Sequence, residues 1–155
     1  MPTPSLLPII AHARSGALAH AWRLFREAGL EGMMDDPAVL SLHGRLLKDE
    51  ALAAEGAARR RLYQAAAGSY RAAADAGGGT YPLINAAALS LLAGEAEEAR
   101  DRARAVLGRL ETDADDTPYY LAATRAEALL LLGDPSAAEA ALAEAVRLAP
   151  QAWED

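Results

Sequence analysis

The sequence predicts an all-α fold, a stack of about four antiparallel helix pairs. Three observations lead there: apolar content carried by Ala and Leu, a small-residue spacing that recurs four times, and four capping dipeptides that end in proline. Hydrophobic residues make up 52% of the 155 and aromatic residues 5%, so the core must be built from small side chains in close contact. Ala and Leu head the helix-propensity order, whereas the β-branched residues that favour strands are sparse. A chain of this length fits one domain, spanning 1–155, and would bury about 68–70% of its unfolded surface.

The recurring spacing is Gly, then Ala five residues on, a further residue four later and Ala or Val three later. It appears as Gly16, Ala21, Phe25, Ala28; as Arg61 in place of Gly, with Ala66, Tyr70, Ala73; as Gly94, Ala99, Ala103, Val106; and as Gly133, Ala138, Leu142, Ala145. Such steps put the three residues after each turn on one helix face, where small side chains admit a neighbouring helix. A first helix precedes each turn: Pro4 to Arg14, Pro37 to Asp49, Tyr81 to Ala93 and Pro118 to Leu132. The pairs therefore cover about 4–29, 37–76, 81–109 and 118–149. Thr3-Pro4, Asp36-Pro37, Thr117-Pro118 and Asp134-Pro135 each offer an N-cap residue before a proline suited to the first helical position. Gly77 to Gly79, Gly94 and Gly133 are the stop signals.

With Ala126, Gly133, Ala138, Ala145 and Pro150, the fourth unit resembles the tetratricopeptide repeat, which implies a right-handed α-solenoid. The shared Ala positions 21, 66, 99 and 138 step by 45, 33 and 39, where a strict array steps by 34. Extra residues are expected in the segment Asp49 to Ala58 and in the acidic loop Glu111 to Thr117. The segments Gly44-Arg45-Leu46-Leu47-Lys48-Asp49 and Ile84-Asn85-Ala86-Ala87-Ala88-Leu89, the latter running on to Gly94, sharpen the resemblance. Together they are similar to the TRAF-binding domain in the central regulatory region of apoptosis signal-regulating kinases, which also occurs in bacterial proteins. The likeness runs from about Leu40 to Trp153. It implies a regulatory, protein-binding role without kinase chemistry. Arg-over-Lys usage in an Ala-rich chain points to a bacterial source, where the partners of the eukaryotic kinases would be missing.

The candidate partner-binding residues lie on the first helices, which line the concave surface of such an array. Arg45 and Asp49 stand at i,i+4 as an ion pair, with Lys48 beside them; they either fix the register of the stack or anchor a ligand. Asn85 interrupts an apolar helix and, if buried, needs a partner such as Arg45 or a backbone carbonyl of the preceding pair; in a groove it would grip a peptide main chain. Tyr81, Tyr119 and Tyr120 open first helices, where they serve as packing between pairs or as amphipathic groove contacts. Glu127 follows Tyr120 on the same face. Arg59, Arg60 and Arg61 read as a solvated helix face or a contact for an acidic surface.

Other function classes lack their residues. The formal charge of −7, from 22 acidic and 15 basic residues, argues against nucleic acid. No Cys is present, and His12, His20 and His43 lack metal-ligand spacing, so no metal or cofactor is expected. No Ser sits in a nucleophile elbow, and Gly77-Gly78-Gly79 lacks the Lys of a phosphate loop. No signal peptide or membrane span is expected, and a cytoplasmic location follows. The expected function is non-enzymatic protein or peptide binding in the concave groove. The alternatives are a self-associating scaffold joined through the apolar Leu6 to Ile10 end and, more remotely, an enzyme built on acidic groups such as Asp49 or Glu127.

Overall fold

In the computed structural model, which describes residues 4–112 and 117–149, eight α-helices follow one another along the chain: α1 (Leu7–Arg14), α2 (Leu18–Glu27), α3 (Pro37–Ala53), α4 (Gly56–Ala73), α5 (Thr80–Leu92), α6 (Ala96–Leu110), α7 (Pro118–Leu131) and α8 (Pro135–Leu148). A 3-10 turn, Leu30–Gly32, follows α2, and a π turn, Ala74–Gly78, follows α4. No described residue is in a strand. Each helix packs chiefly on its neighbours in sequence, and first helices also meet first helices, α1 on α3 and α5 on α7. The architecture is an α-solenoid.

Local chemistry sets most of the boundaries. Asp36 Oδ1 accepts from the Ala38 N–H at 2.8 Å and the Val39 N–H at 3.3 Å, Thr117 Oγ1 from Tyr120 N–H, and Asp134 Oδ1 from Ala137 N–H, so three of the four expected caps are in use. The first is not. Pro4 precedes α1, whose opening turn carries Pro8 instead, with Leu6 at a cap position that lacks a side-chain hydrogen bond; Thr3 lies outside the described residues. Three hairpins turn at Gly16, Gly94 and Gly133. There the residue after each glycine donates to a carbonyl five back, as Glu95 N–H does to Ser90 O and Asp134 N–H to Leu129 O.

The second hairpin turns elsewhere, and the extra residues expected in Asp49 to Ala58 are there, as added helix. Residues Asp49 to Ala58 form no loop of their own. They lengthen both helices, so α3 has 17 residues and α4 has 18, joined through extended Ala54 and Glu55. This accounts for Arg61 at the position where the other units carry Gly: it lies within α4, and the turn has moved toward Gly56. Arg59, from the basic run, caps the end of α3, its Nε donating to Ala54 O at 2.6 Å and to Ala51 O at 3.2 Å. Part of the Glu111 to Thr117 loop lies outside the described residues.

The small-residue positions are buried as the spacing requires. Ala21, Ala66, Ala73, Ala99, Ala103 and Val106 are fully enclosed, and so are the aromatics Phe25 and Tyr70. Two positions depart: Ala28, at the end of α2, is exposed, and Leu142 is 55% exposed, because no described helix covers the outer face of α7 and α8. The core falls into three consecutive clusters, one around Phe25 and Leu46, one around Tyr70 and Leu89, one around Ile84 and Val106. That segmentation is the mark of a stack in which each unit is stabilised by its neighbours.

In the first cluster the His43 ring stands edge-on to Trp22 at 5.6 Å and tilted to Phe25 at 5.8 Å, while its Nδ1 pairs with Ser69 Oγ at 2.7 Å. Burial pulls the His43 pKa below its ordinary 6.5, with Glu31 opposing the shift. The unfolded chain therefore takes up a proton near pH 6.5 that the folded ring resists. Stability from this source is complete above that pH and is lost as pH falls below it, at a slope of up to about 1.4 kcal/mol per pH unit. Melting curves between pH 8 and 5 should show this loss, and His43→Phe, which keeps the ring contacts, should flatten it. An unchanged slope in the variant would contradict the assignment.

Candidate binding groove

The first helices α3, α5 and α7 present one line of accessible positions each, at three- and four-residue spacing. On α3 these are Ala38, Ser41, Arg45 and Lys48; on α5, Tyr81, Asn85 and Ala88; on α7, Tyr120, Ala123 and Glu127. All are exposed or half-buried, whereas their immediate neighbours Val39, Leu46, Ile84, Ala86 and Ala122 are buried. The fold thus places all six candidate residues, Arg45, Lys48, Tyr81, Asn85, Tyr120 and Glu127, on the accessible lines of these helices. They are not all in contact. Arg45 and Tyr81 share a cleft, and Lys48 acts electrostatically on Glu127 across α5.

Glu127 is exposed by area yet enclosed enough to lose hydration. Its pKa is raised mainly by burial, with Lys48 lowering it. It also edges a second recess, with Ala123, Ala126 and Leu130 of α7 and Ala138 and Leu142 of α8, so it stands at the rim between the groove and the outer end of the stack. Asn85 corrects the expectation of a fully buried amide. It is half-buried, and of the two expected partners it takes a backbone carbonyl, its Nδ2 donating to Tyr81 O one turn back at 2.9 Å. Tyr119 and Tyr120 stack edge to face at 5.0 Å.

Arg45 and Asp49 form the expected pair, but loosely. Arg45 Nε lies 3.9 Å from Asp49 Oδ2, beyond hydrogen-bonding distance, with the two side chains 27% and 25% exposed. Arg45 Nε is itself buried without a hydrogen-bond partner. Beneath the pair lies Tyr70, fully enclosed, its ring edge-on to Tyr81 at 6.2 Å. The Tyr70 and Tyr81 hydroxyls influence each other, although no hydrogen bond of ordinary geometry satisfies the Tyr70 oxygen. Burial, with Tyr81 beside it, pushes the Tyr70 phenol far above its usual pKa of 10.

Tyr70 also explains the Gly-Arg-x-x-Lys-Asp segment. A Cβ on Gly44 would lie 2.8 Å from Tyr70 Cδ2 and 3.0 Å from Cε2. The missing side chain at 44 is what seats the ring under the charged pair one residue along. The sequence offered Tyr70 as one of the spaced residues of the second unit; its role as the floor under Arg45 and Asp49 depends on the α3 and α4 register, which spacing alone does not state.

The cleft that holds Arg45 and Tyr81 has a volume of about 440 Å³ and is walled by Leu6 and Ile10 of α1 and by Pro37, Ala38, Ser41 and Leu42 of α3, with Gly78 at its edge. Of the apolar run proposed as a contact between copies, Ile9 is buried in the first core and Leu6 and Ile10 pack against that core as well as lining the cleft, which leaves Leu7, at 73% exposure, facing outward. Among the described residues there is no group of three His, Asp or Glu side chains able to hold a metal ion. No described helix is long and apolar enough to cross a membrane.

A family model described as tetratricopeptide repeats-sensor matches residues 7–90, more than half of the chain. The matched span runs from α1 to the last turns of α5, so it includes the cleft, Arg45, Lys48, Tyr81 and Asn85, while Tyr120, Glu127 and the fourth unit lie beyond it. No curated protein and no solved structure matches the chain. Repeats of the tetratricopeptide type in general mediate protein–protein interaction, through the extended concave surfaces that stacked helix pairs create. With its eight helices in hairpins and a family match across the first five, the chain belongs to the tetratricopeptide repeats-sensor family.

Proposed function

We propose that the chain is a non-catalytic recognition module of a sensing protein, and that its concave face holds a peptide or a neighbouring protein domain. What carries the reading is the convergence of Arg45, Lys48, Tyr81, Asn85, Tyr120 and Glu127 on accessible positions of α3, α5 and α7, with a cation at one side and an anion at the other. Such a face suits an extended or helical segment of mixed charge, read by side chains along its length. The family description supports a sensing role. The likeness of Gly44 to Asp49 and Ile84 to Gly94 to the regulatory region of apoptosis signal-regulating kinases supports regulation of an attached or associated protein. A single domain over 1–155, a cytoplasmic setting and a bacterial source belong to the same proposal. Self-association is the second reading, and exposed Leu7 is what favours it.

The test is co-purification from the native host with charge-reversed Lys48→Glu and Glu127→Lys and with Tyr120→Ala, against Arg104→Ala, which alters the exposed outer surface of α6. The groove variants should lose a partner that Arg104→Ala retains, at unchanged helical content by circular dichroism. Equal retention by all four would overturn the groove reading. Sedimentation decides the second reading: a concentration-independent monomer removes it.

A further inference from the structure

We propose that the cleft between α1, α3 and the start of α5 is a binding site for a small aliphatic carboxylic acid, with Arg45 as the residue that holds its anionic end. This goes beyond the groove reading and does not depend on it, since the ligand is a small molecule rather than a protein segment.

The cleft has the size and chemistry of a small-ligand site. Its volume of about 440 Å³ lies within the usual range for such pockets, and its walls are Leu6, Ile10, Pro37, Ala38 and Leu42, with the Tyr81 ring at the mouth. An apolar recess of that kind gains by exchanging water for an aliphatic chain. Its residues with polar side chains are few: Ser41, Arg45 and Tyr81.

Arg45 sets the charge of the ligand. Its Nε is buried and donates no hydrogen bond, and its ion pair with Asp49 at 3.9 Å is too long to be one. The guanidinium is only loosely paired and its side chain stays part-exposed at the cleft, where the group that best matches its planar fork is a carboxylate, which accepts two parallel bonds. Asp49 is not among the residues that line the cleft, so a ligand carboxylate would approach from the open side while Asp49 keeps its place on the other. A neutral head group would gain less from the guanidinium than an anion does, and an ammonium would be repelled. Apolar walls and one loosely paired cation therefore point to an aliphatic chain ending in a carboxylate.

Isothermal titration of the full chain with octanoate, 1-octanol and octylamine, all kept below their aggregation limits, tests this directly. Octanoate should bind one to one and at least about tenfold more tightly than the alcohol, as expected for a hydrogen bond to a charged group, and the amine should bind more weakly still. Arg45→Gln should remove the preference for the acid while leaving alcohol binding in place. Ile10→Trp, which fills the cleft, should abolish both. Helical content of each variant is checked by circular dichroism; if Arg45→Gln does not fold, the acid, alcohol and amine comparison on the unaltered chain decides. Equal affinities for acid and alcohol, no saturable binding, or an acid preference that survives in folded Arg45→Gln would overturn the proposal. Loss of a protein partner in the groove variants has no bearing on this readout, so the two readings fail separately.

Discussion

Tyr70→Ala should destabilise the chain by about 3–5 kcal/mol, the largest single loss expected from any substitution in the second hairpin. Tyr70 is completely enclosed, and its ring fills the space that Gly44 leaves open while standing edge-on to Tyr81. Truncation removes the transfer free energy of an aromatic side chain and opens a cavity that α3 and α5 cannot both collapse into, since each is tied to its own hairpin. Tyr70→Phe should behave quite differently. The hydroxyl is buried without a hydrogen bond of ordinary geometry, so deleting it relieves a desolvated oxygen and should be close to neutral or mildly stabilising. Urea denaturation of both variants checks the pair of expectations. A large loss for Tyr70→Phe would mean that the oxygen is satisfied after all, most simply by Tyr81.

Gly44→Val should cost about 3 kcal/mol, at the upper end of the range for forced overpacking. The first carbon of any side chain there meets Tyr70 Cδ2 at 2.8 Å and Ala66 O at 3.2 Å, and the ring is too enclosed to swing aside. Gly44→Ala meets the same obstacle, but a gain in helix propensity of about 1 kcal/mol offsets part of it. The valine should therefore be clearly worse than the alanine. A double-mutant cycle with Tyr70→Leu measures the shared part: the two losses should be non-additive by about 0.5–3 kcal/mol, as for residues in direct contact. Additive losses would place the strain elsewhere.

These two residues also show where sequence reading stops. The fold was legible because its determinants are local: a cap such as Asp36 or Asp134 acts within one turn, and Gly94 or Gly133 ends a helix through its own backbone. Where the local signal lacked support the boundary moved, as at α1, which opens near Pro8 rather than Pro4. The lengthened second hairpin read as an insertion because spacing counts residues and says nothing of whether they stay helical. Arg59 shows that they do, closing the end of α3 from the next helix. Leu142 matched the repeat but lacks a cover among the described helices, which its own spacing does not state.

The candidate groove was legible for the same reason as the helices. Positions 45 and 48, 81 and 85, or 120 and 127 share faces by periodicity alone. What periodicity could not supply was depth. Asn85 read as buried because its sequence neighbours are apolar, whereas it is only partly buried and its amide is held by its own helix. The cleft at Arg45 was hidden for a further reason: its walls come from α1, α3 and the start of α5, segments that meet only once the first two hairpins have docked.

The segmented core bears on how such a chain can change over generations. Because each cluster is closed by sequence neighbours, additional turns in α3 and α4 can pack on each other, as Ala51 does in the second cluster, and leave the spacing of the other hairpins as it was. An insertion in a protein with one shared core would have to be accommodated everywhere at once. Here it is accommodated by one capping arginine, so the steps of 45, 33 and 39 between equivalent alanines are the record of hairpins free to vary in length one at a time.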